Sequence, residues 1–183
     1  MNPYAIETFY GHFFDPTEPT VADIDLRDIA HALSLLTRAN GHFEHFYSVA
    51  RHSIACAEEA KARGESARVQ LFALLHDGAE SYIGDMTRPL RRRFPEFTAY
   101  ERVLQRLIFE KYADDHVSPT ELAAVKAIDD AMLYHEFLTF RGITLTKTPP
   151  SLNMTLKADK KTPAQTEREF LELYAALRKE AQI

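Results

Sequence analysis

Cysteine is nearly absent: Cys56 is the only one in 183 residues. That count excludes an internal disulfide and a four-cysteine zinc site, and it fits a reducing compartment. Basic residues are not in excess, because 22 Lys and Arg stand against 27 Asp and Glu for a formal net charge of -5. A broad basic face able to neutralise duplex phosphates is therefore not expected, whereas a small anionic ligand is compatible with the composition. Long apolar runs are missing too. No stretch approaches the ~20 residues of a membrane span, and Met1 to Tyr10 lacks the basic start and apolar run of a signal peptide. The expectation is a cytoplasmic protein with no membrane partner and no stable nucleic-acid complex. Internal repeats and low-complexity tracts are absent as well. With 45% hydrophobic residues over 183 positions, the chain is long enough for one sizeable core and short for two. Residues 1–183 are accordingly read as a single domain.

The apolar periodicity is helical along most of the chain. The exception is the first 20 residues, where Pro16 and Pro19 oppose helix and a short hairpin around Gly11 is expected. Beyond them, Asp25 is placed to cap a helix over about 26–37, with Ile29, Leu33 and Leu36 on one face. A second helix is expected over about 46–62, with His52 inward and a solvated Glu58-Glu59 face. The third starts near Ser66, runs through Leu71, Phe72, Leu74 and Leu75, and continues to about Tyr82. It changes abruptly from apolar residues to His76, Asp77 and Glu80. A turn from Gly84 to Pro89 and the basic run Arg91 to Arg93 precede helices over about 97–113 and 119–140. Ser118 caps the latter, with Pro119 in its first turn. A last amphipathic helix over about 163–180 presents Phe170, Leu173, Tyr174 and Leu177. The fold class expected is all-α, a helical bundle with a small irregular or hairpin N-terminal segment.

With one cysteine available, a metal site must draw on histidine and carboxylates. His76 and Asp77 are adjacent at the end of an apolar helix and supply one nitrogen and one oxygen donor. Two more donors must come from other helices, and His52 and Asp129 are the best placed by type and apolar surroundings. Such a set suits one divalent ion among Mn²⁺, Co²⁺, Fe²⁺, Ni²⁺ and Zn²⁺, with Mg²⁺ less suited. Asp130 lies beside Asp129, and periodicity does not decide which of the two faces inward. Glu80 falls four residues after His76 and three after Asp77, a helical spacing that lets all three face one pocket.

His52, then His76-Asp77, then Asp129 resembles the H…HD…D signature of the HD-domain metal-dependent phosphohydrolases. The stretches Asp28 to Ser34, Tyr47 to Ser53 and His76 to Met86 resemble the branch of bacterial deoxyribonucleoside 5′-monophosphatases, over roughly residues 24–136. The resemblance implies the family's helical bundle, with His52, His76, Asp77 and Asp129 as metal ligands and Glu80 and Asp85 as catalytic acids. It implies that Arg38 binds the substrate phosphate, and it favours Asp129 over Asp130, which would then pair with Lys126. Where relatives follow that arginine with a bulky aromatic, this sequence has Ala39-Asn40-Gly41-His42. The reaction implied is hydrolysis of a small-molecule phosphate monoester, a nucleoside 5′-monophosphate first. Its competitors are another nucleotide (a triphosphate, an alarmone or a cyclic nucleotide) and a non-catalytic metal or nucleotide sensor, which the retained Glu80 argues against.

Plainer readings stand beside these. A histidine on an apolar face is commonly a hydrogen-bonded core residue, and an arginine after a helix is commonly held by the helix dipole. His31, His42 and His45 are read as structural, His45 sharing a face with His52 only if that helix starts early. Cys56 follows His52 at a metal-compatible spacing of four, but one thiol among small residues reads as core. Resemblance to dimeric relatives makes a homodimer the expected assembly.

Overall fold

The protein is described by a computed structural model covering residues 4–113, 116–156 and 160–183. A two-stranded antiparallel hairpin, β1 (Ile6–Glu7) and β2 (Phe13–Phe14), precedes the helices α1 (Leu26–Leu35), α2 (Val49–Ala62) and α3 (Ala67–Leu75). The short helices α4 (Glu80–Ile83) and α5 (Arg88–Arg91) follow, then the long helices α6 (Pro95–Tyr112), α7 (Pro119–Arg141) and α8 (Pro163–Ala181). The all-α class holds, the hairpin being the only sheet among the described residues. None of the described helices is long and apolar enough to cross a membrane.

Helix starts follow side-chain chemistry. Asp25, Ser48, Ser66, Ser118 and Thr162 each accept a hydrogen bond from a first-turn backbone N–H, satisfying donors that the helix itself leaves open. Because Ser48 is the cap, α2 begins at Val49 instead of Phe46 and leaves His45 outside it, edge-on to the Phe140 ring. α1 stops at Leu35, and Thr37 instead bridges to Ser48.

The run Val69 to Leu75 of α3 is buried on every side. A helix without a polar stripe has no face for water, so it takes the centre, with α2, α6, α7 and α8 packed around it. Glu59, expected in solvent, is fully buried: its carboxylate accepts the backbone N–H groups of Asn153 and Met154 and the Arg63 guanidinium. The link between α7 and α8 is tied there to the back of α2.

Candidate metal centre

The sequence predicts one unbroken helix through His76 to Tyr82, and the structure corrects this. After Leu75 the chain tightens into three-residue turns, Gly78 N donating to Leu75 O and Glu80 N to Asp77 O at 2.9 and 3.0 Å. The cause lies on α6. Gln105 inserts its carboxamide, with Oε1 accepting from Ala79 N at 3.0 Å and Nε2 donating to Leu75 O at 2.8 Å. Those two backbone groups would bond to each other in a continuous α-helix. Gly78 permits the close approach, since a Cβ there would stand 3.2 Å from the Ile108 side chain and 3.0 Å from Leu75 O. Just after Glu80, Tyr82 stacks on the buried Phe14 at 4.1 Å, and its hydroxyl accepts from Asp25 N. The hairpin and the start of α1 thus hold α4 in place.

The break turns His76 and Asp77 toward α2 and α7. His52 Nε2 lies 3.4 Å from His76 Nε2, 3.4 Å from Asp129 Oδ1 and 3.7 Å from Asp77 Oδ2. His76 Nε2 lies 3.3 Å from Asp77 Oδ1 and 3.9 Å from Asp129 Oδ1. The four sequence-predicted ligands are therefore brought together, and Asp130 is turned outward to Lys126 and Arg88. Both rings have their Nδ1 atoms engaged. His76 Nδ1 meets the Ala73 carbonyl at 2.7 Å and His52 Nδ1 meets Glu136 Oε1 at 2.6 Å. A carbonyl only accepts, so His76 Nδ1 carries a proton, and its Nε2 lone pair faces the cluster in the neutral ring.

This donor set fits a first-row divalent ion. Two donors each about 2.1 Å from one ion and tetrahedrally disposed stand about 3.4 Å apart, which matches the shortest separations above. Without a cation, lone pairs and carboxylates would simply repel. The electrostatics of the cluster show the same imbalance. Burial opposes a charged ring at His52 and His76, yet neighbouring acids outweigh it and raise the pKa of both, well above the ordinary imidazole range at His52. Burial likewise opposes ionisation of Asp129, but hydrogen bonds from His52 and His76 hold its carboxyl well below the usual value. The surrounding acids thus favour positive charge at this point of the fold.

One residue here escaped the sequence reading, and another was weighed there and read as core. Glu136 is completely buried, bonds His52 Nδ1 and lies 3.5 Å from Arg38 Nη2. Its signal is a spacing of seven from Asp129, two turns along the same face of α7. Cys56, expected as plain core, places Sγ 3.5 Å from His52 Nε2, and His52, Cys56 and His76 form a group able to hold a metal ion. Burial raises the thiol pKa to about 11 in the ion-free centre.

Beside the centre lies a cavity of about 330 Å³ lined by Arg38, Asp77, Glu80, Asp85, Arg88, Arg91, Asp129 and Glu136, with Phe43, Met86, Leu133, Phe137 and Leu145 among its apolar wall. Arg38 Nη1 reaches Asp77 Oδ2 at 3.4 Å. The next two residues, Ala39 and Asn40, both hold φ of 50°, left-handed backbone that costs a non-glycine residue roughly 1 kcal/mol or more. Glu80 is buried, and its Oε2 has no hydrogen-bond partner among the described residues. Burial first, then Asp77 and Asp85, push its pKa well above the carboxylate range. Asp85, placed by the left-handed turn at Gly84, is raised chiefly by burial. The basic segment after it forms α5. Its Arg88 holds Asp129 Oδ2 at 2.9 Å, and its Arg91 bridges Glu80 Oε1 and Glu101 at 3.7 and 3.0 Å.

This chain belongs to the HD domain family, whose pattern matches residues 31–132. Members of the family are generally metal-dependent hydrolases. The chain is similar to the uncharacterized protein YfdR of Escherichia coli (strain K12), with 35% identity over 131 residues, 72% of this chain and 69% of that one. It is also similar to the uncharacterized protein RCAP_rcc00048 of Rhodobacter capsulatus, with 43% identity over 86 residues, 44% of this chain and 43% of that one.

Proposed function

We propose that the chain hydrolyses phosphate monoesters with one divalent ion held by His52, His76, Asp77 and Asp129, and that its substrate is a nucleoside 5′-monophosphate. The converging His and Asp donors beside a cavity that Arg38 also lines carry this reading. Five carboxylates (Asp77, Glu80, Asp85, Asp129 and Glu136) and three guanidinium groups (Arg38, Arg88 and Arg91) leave a formal charge of -2, which a dication cancels. With that ion in place the lining is formally neutral, so a phosphate is met locally, by the ion and by the Arg38 fork. The volume of about 330 Å³ lies in the range of small-ligand sites, and the Phe43, Met86 and Phe137 wall suits a base or sugar.

When bound, the ion supplies Lewis acidity toward a phosphoryl oxygen and acidifies water. The protein does the rest. Arg38 presents a planar fork to the phosphate oxygens from a buried position that it holds through Asp77 and Glu136. Burial keeps the proton on Glu80, whose Oε2 faces no competing partner, so Glu80 gives that proton to the leaving alkoxide and takes one back from the attacking water. Asp85 holds the water or a sugar hydroxyl at the same wall. Ala39 follows Arg38 without the bulky aromatic that the resemblance leads one to expect, and Phe43, packed 5.3 Å from Phe137, closes that side of the cavity.

Full-length protein stripped of metal, reloaded with Mn²⁺ or Co²⁺ and offered a nucleotide panel tests this. Orthophosphate and nucleoside released from monophosphates, and lost in Asp77→Ala, are the expected results. No metal-dependent release, full activity in Asp77→Ala, or a preference for triphosphates would overturn it.

A further inference from the structure

We infer that Cys56 is a donor to the same ion, so that the centre is a mixed nitrogen, oxygen and sulfur site preferring Co²⁺, Zn²⁺ or Fe²⁺ to Mn²⁺ or Mg²⁺. The inference rests on the metal-centre reading and extends it to a residue outside the His and Asp set. Cys56 follows His52 by one turn of α2, which stacks the two side chains on one face. Its sulfur stands 3.5 Å from His52 Nε2, and the donor atoms of His52, Cys56 and His76 all lie within 4.8 Å of one another. Donors about 2.3 Å (sulfur) and about 2.1 Å (nitrogen) from one ion, set roughly at right angles to tetrahedrally, are separated by about 3.1 to 3.6 Å. The observed separation from His52 is within that span.

The direction of approach is also right. Cys56 is 1% exposed and absent from the cavity lining, whereas Asp77 and Asp129 line it. Sulfur thus enters from the core side and leaves the cavity side of the ion for substrate. The imidazole atom it faces is the one left open for ligation, because Glu136 occupies the other nitrogen of His52. Binding releases the thiol proton to solvent, and soft thiolate shifts preference toward the thiophilic ions.

The test is the absorption spectrum of full-length protein loaded with one equivalent of Co²⁺, with bound metal measured directly. A near-ultraviolet sulfur-to-cobalt charge-transfer band is expected in the wild type and is lost in Cys56→Ser and Cys56→Ala. The preference for Co²⁺ over Mn²⁺ should also fall by about 10-fold or more in both variants. Stoichiometric Co²⁺ without the band in the wild type overturns the inference while leaving the His and Asp centre standing. A wild type that takes up no Co²⁺ overturns both. The wild-type spectrum decides even if neither variant folds.

Discussion

Replacing Gln105 with methionine keeps the length of the side chain and removes both polar ends that hold the break between α3 and α4. Leu75 O retains its bond from Gly78 N, but Ala79 N loses its acceptor in a setting where Ala79 is 1% exposed. An orphaned buried N–H costs about 1 to 3 kcal/mol. In a domain of this size each kcal/mol moves the melting temperature by about 2 to 4 °C, so a fall of roughly 2 to 12 °C is expected for Gln105→Met. The chain has one escape, which is to close Ala79 N onto Leu75 O and regain a regular helix. That recovers stability but rotates His76 and Asp77 away from His52 and Asp129, and metal affinity then drops by about 10-fold or more. Thermal melts of metal-free protein, paired with Co²⁺ titrations, read both routes. A variant with its melting temperature within about 1 °C of wild type and unchanged Co²⁺ affinity would refute the wedge role of Gln105.

Glu80→Gln keeps shape but removes the proton carrier, and a loss of about 10² to 10⁴ in kcat with little change in KM is expected from steady-state assays. Arg38→Lys retains charge without the planar fork, so KM for the monophosphate rises, and a circular-dichroism melt distinguishes this from misfolding. The metal-free protein is expected to lose stability as pH rises past neutrality. The raised pKa values of His52 and His76 contribute stability that is complete below the ordinary imidazole value of about 6.5 and is lost as pH rises through the raised ones. Saturating metal abolishes that decline and metal affinity climbs with pH over the same range, because the ion replaces the protons. Parallel melts from about pH 6 to about pH 9 with and without Co²⁺ check it, and identical slopes would refute it.

Local chemistry was legible in the chain wherever it acts over one helical turn. The caps at Asp25 and Ser118, the helix start near Ser66, the turn at Gly11 and the apolar run Leu71 to Leu75 of α3 each announce themselves within a few residues. The candidate ligands could be found because histidine and aspartate interrupt apolar surroundings. What stayed hidden depends on partners far along the chain. Gln105 reaches Ala79 across 26 positions, so nothing near His76 signals that the helix must break there. Glu136 meets His52 across 84 positions and looks in sequence like an ordinary polar residue of a long helix. Glu59 reads as half of a solvated acidic pair until the backbone of Asn153, 94 positions away, is seen to need its carboxylate. Periodicity places a side chain on a face; it does not say which distant group that face will meet.

The carboxylate of Glu136 touches the His52 imidazole with one oxygen and leans toward the Arg38 guanidinium with the other. One negative charge is thereby divided between two binding events. If His52 binds the ion and Arg38 the phosphate as proposed, the ion would draw that charge to the imidazole and loosen the hold on Arg38, which would then meet an incoming anion with more of its own charge. Thermodynamic reciprocity requires the reverse, with anion on Arg38 tightening the ion by the same factor. On the proposed function, metal and phosphate affinities would then be conditional quantities, each defined only at a stated occupancy of the other.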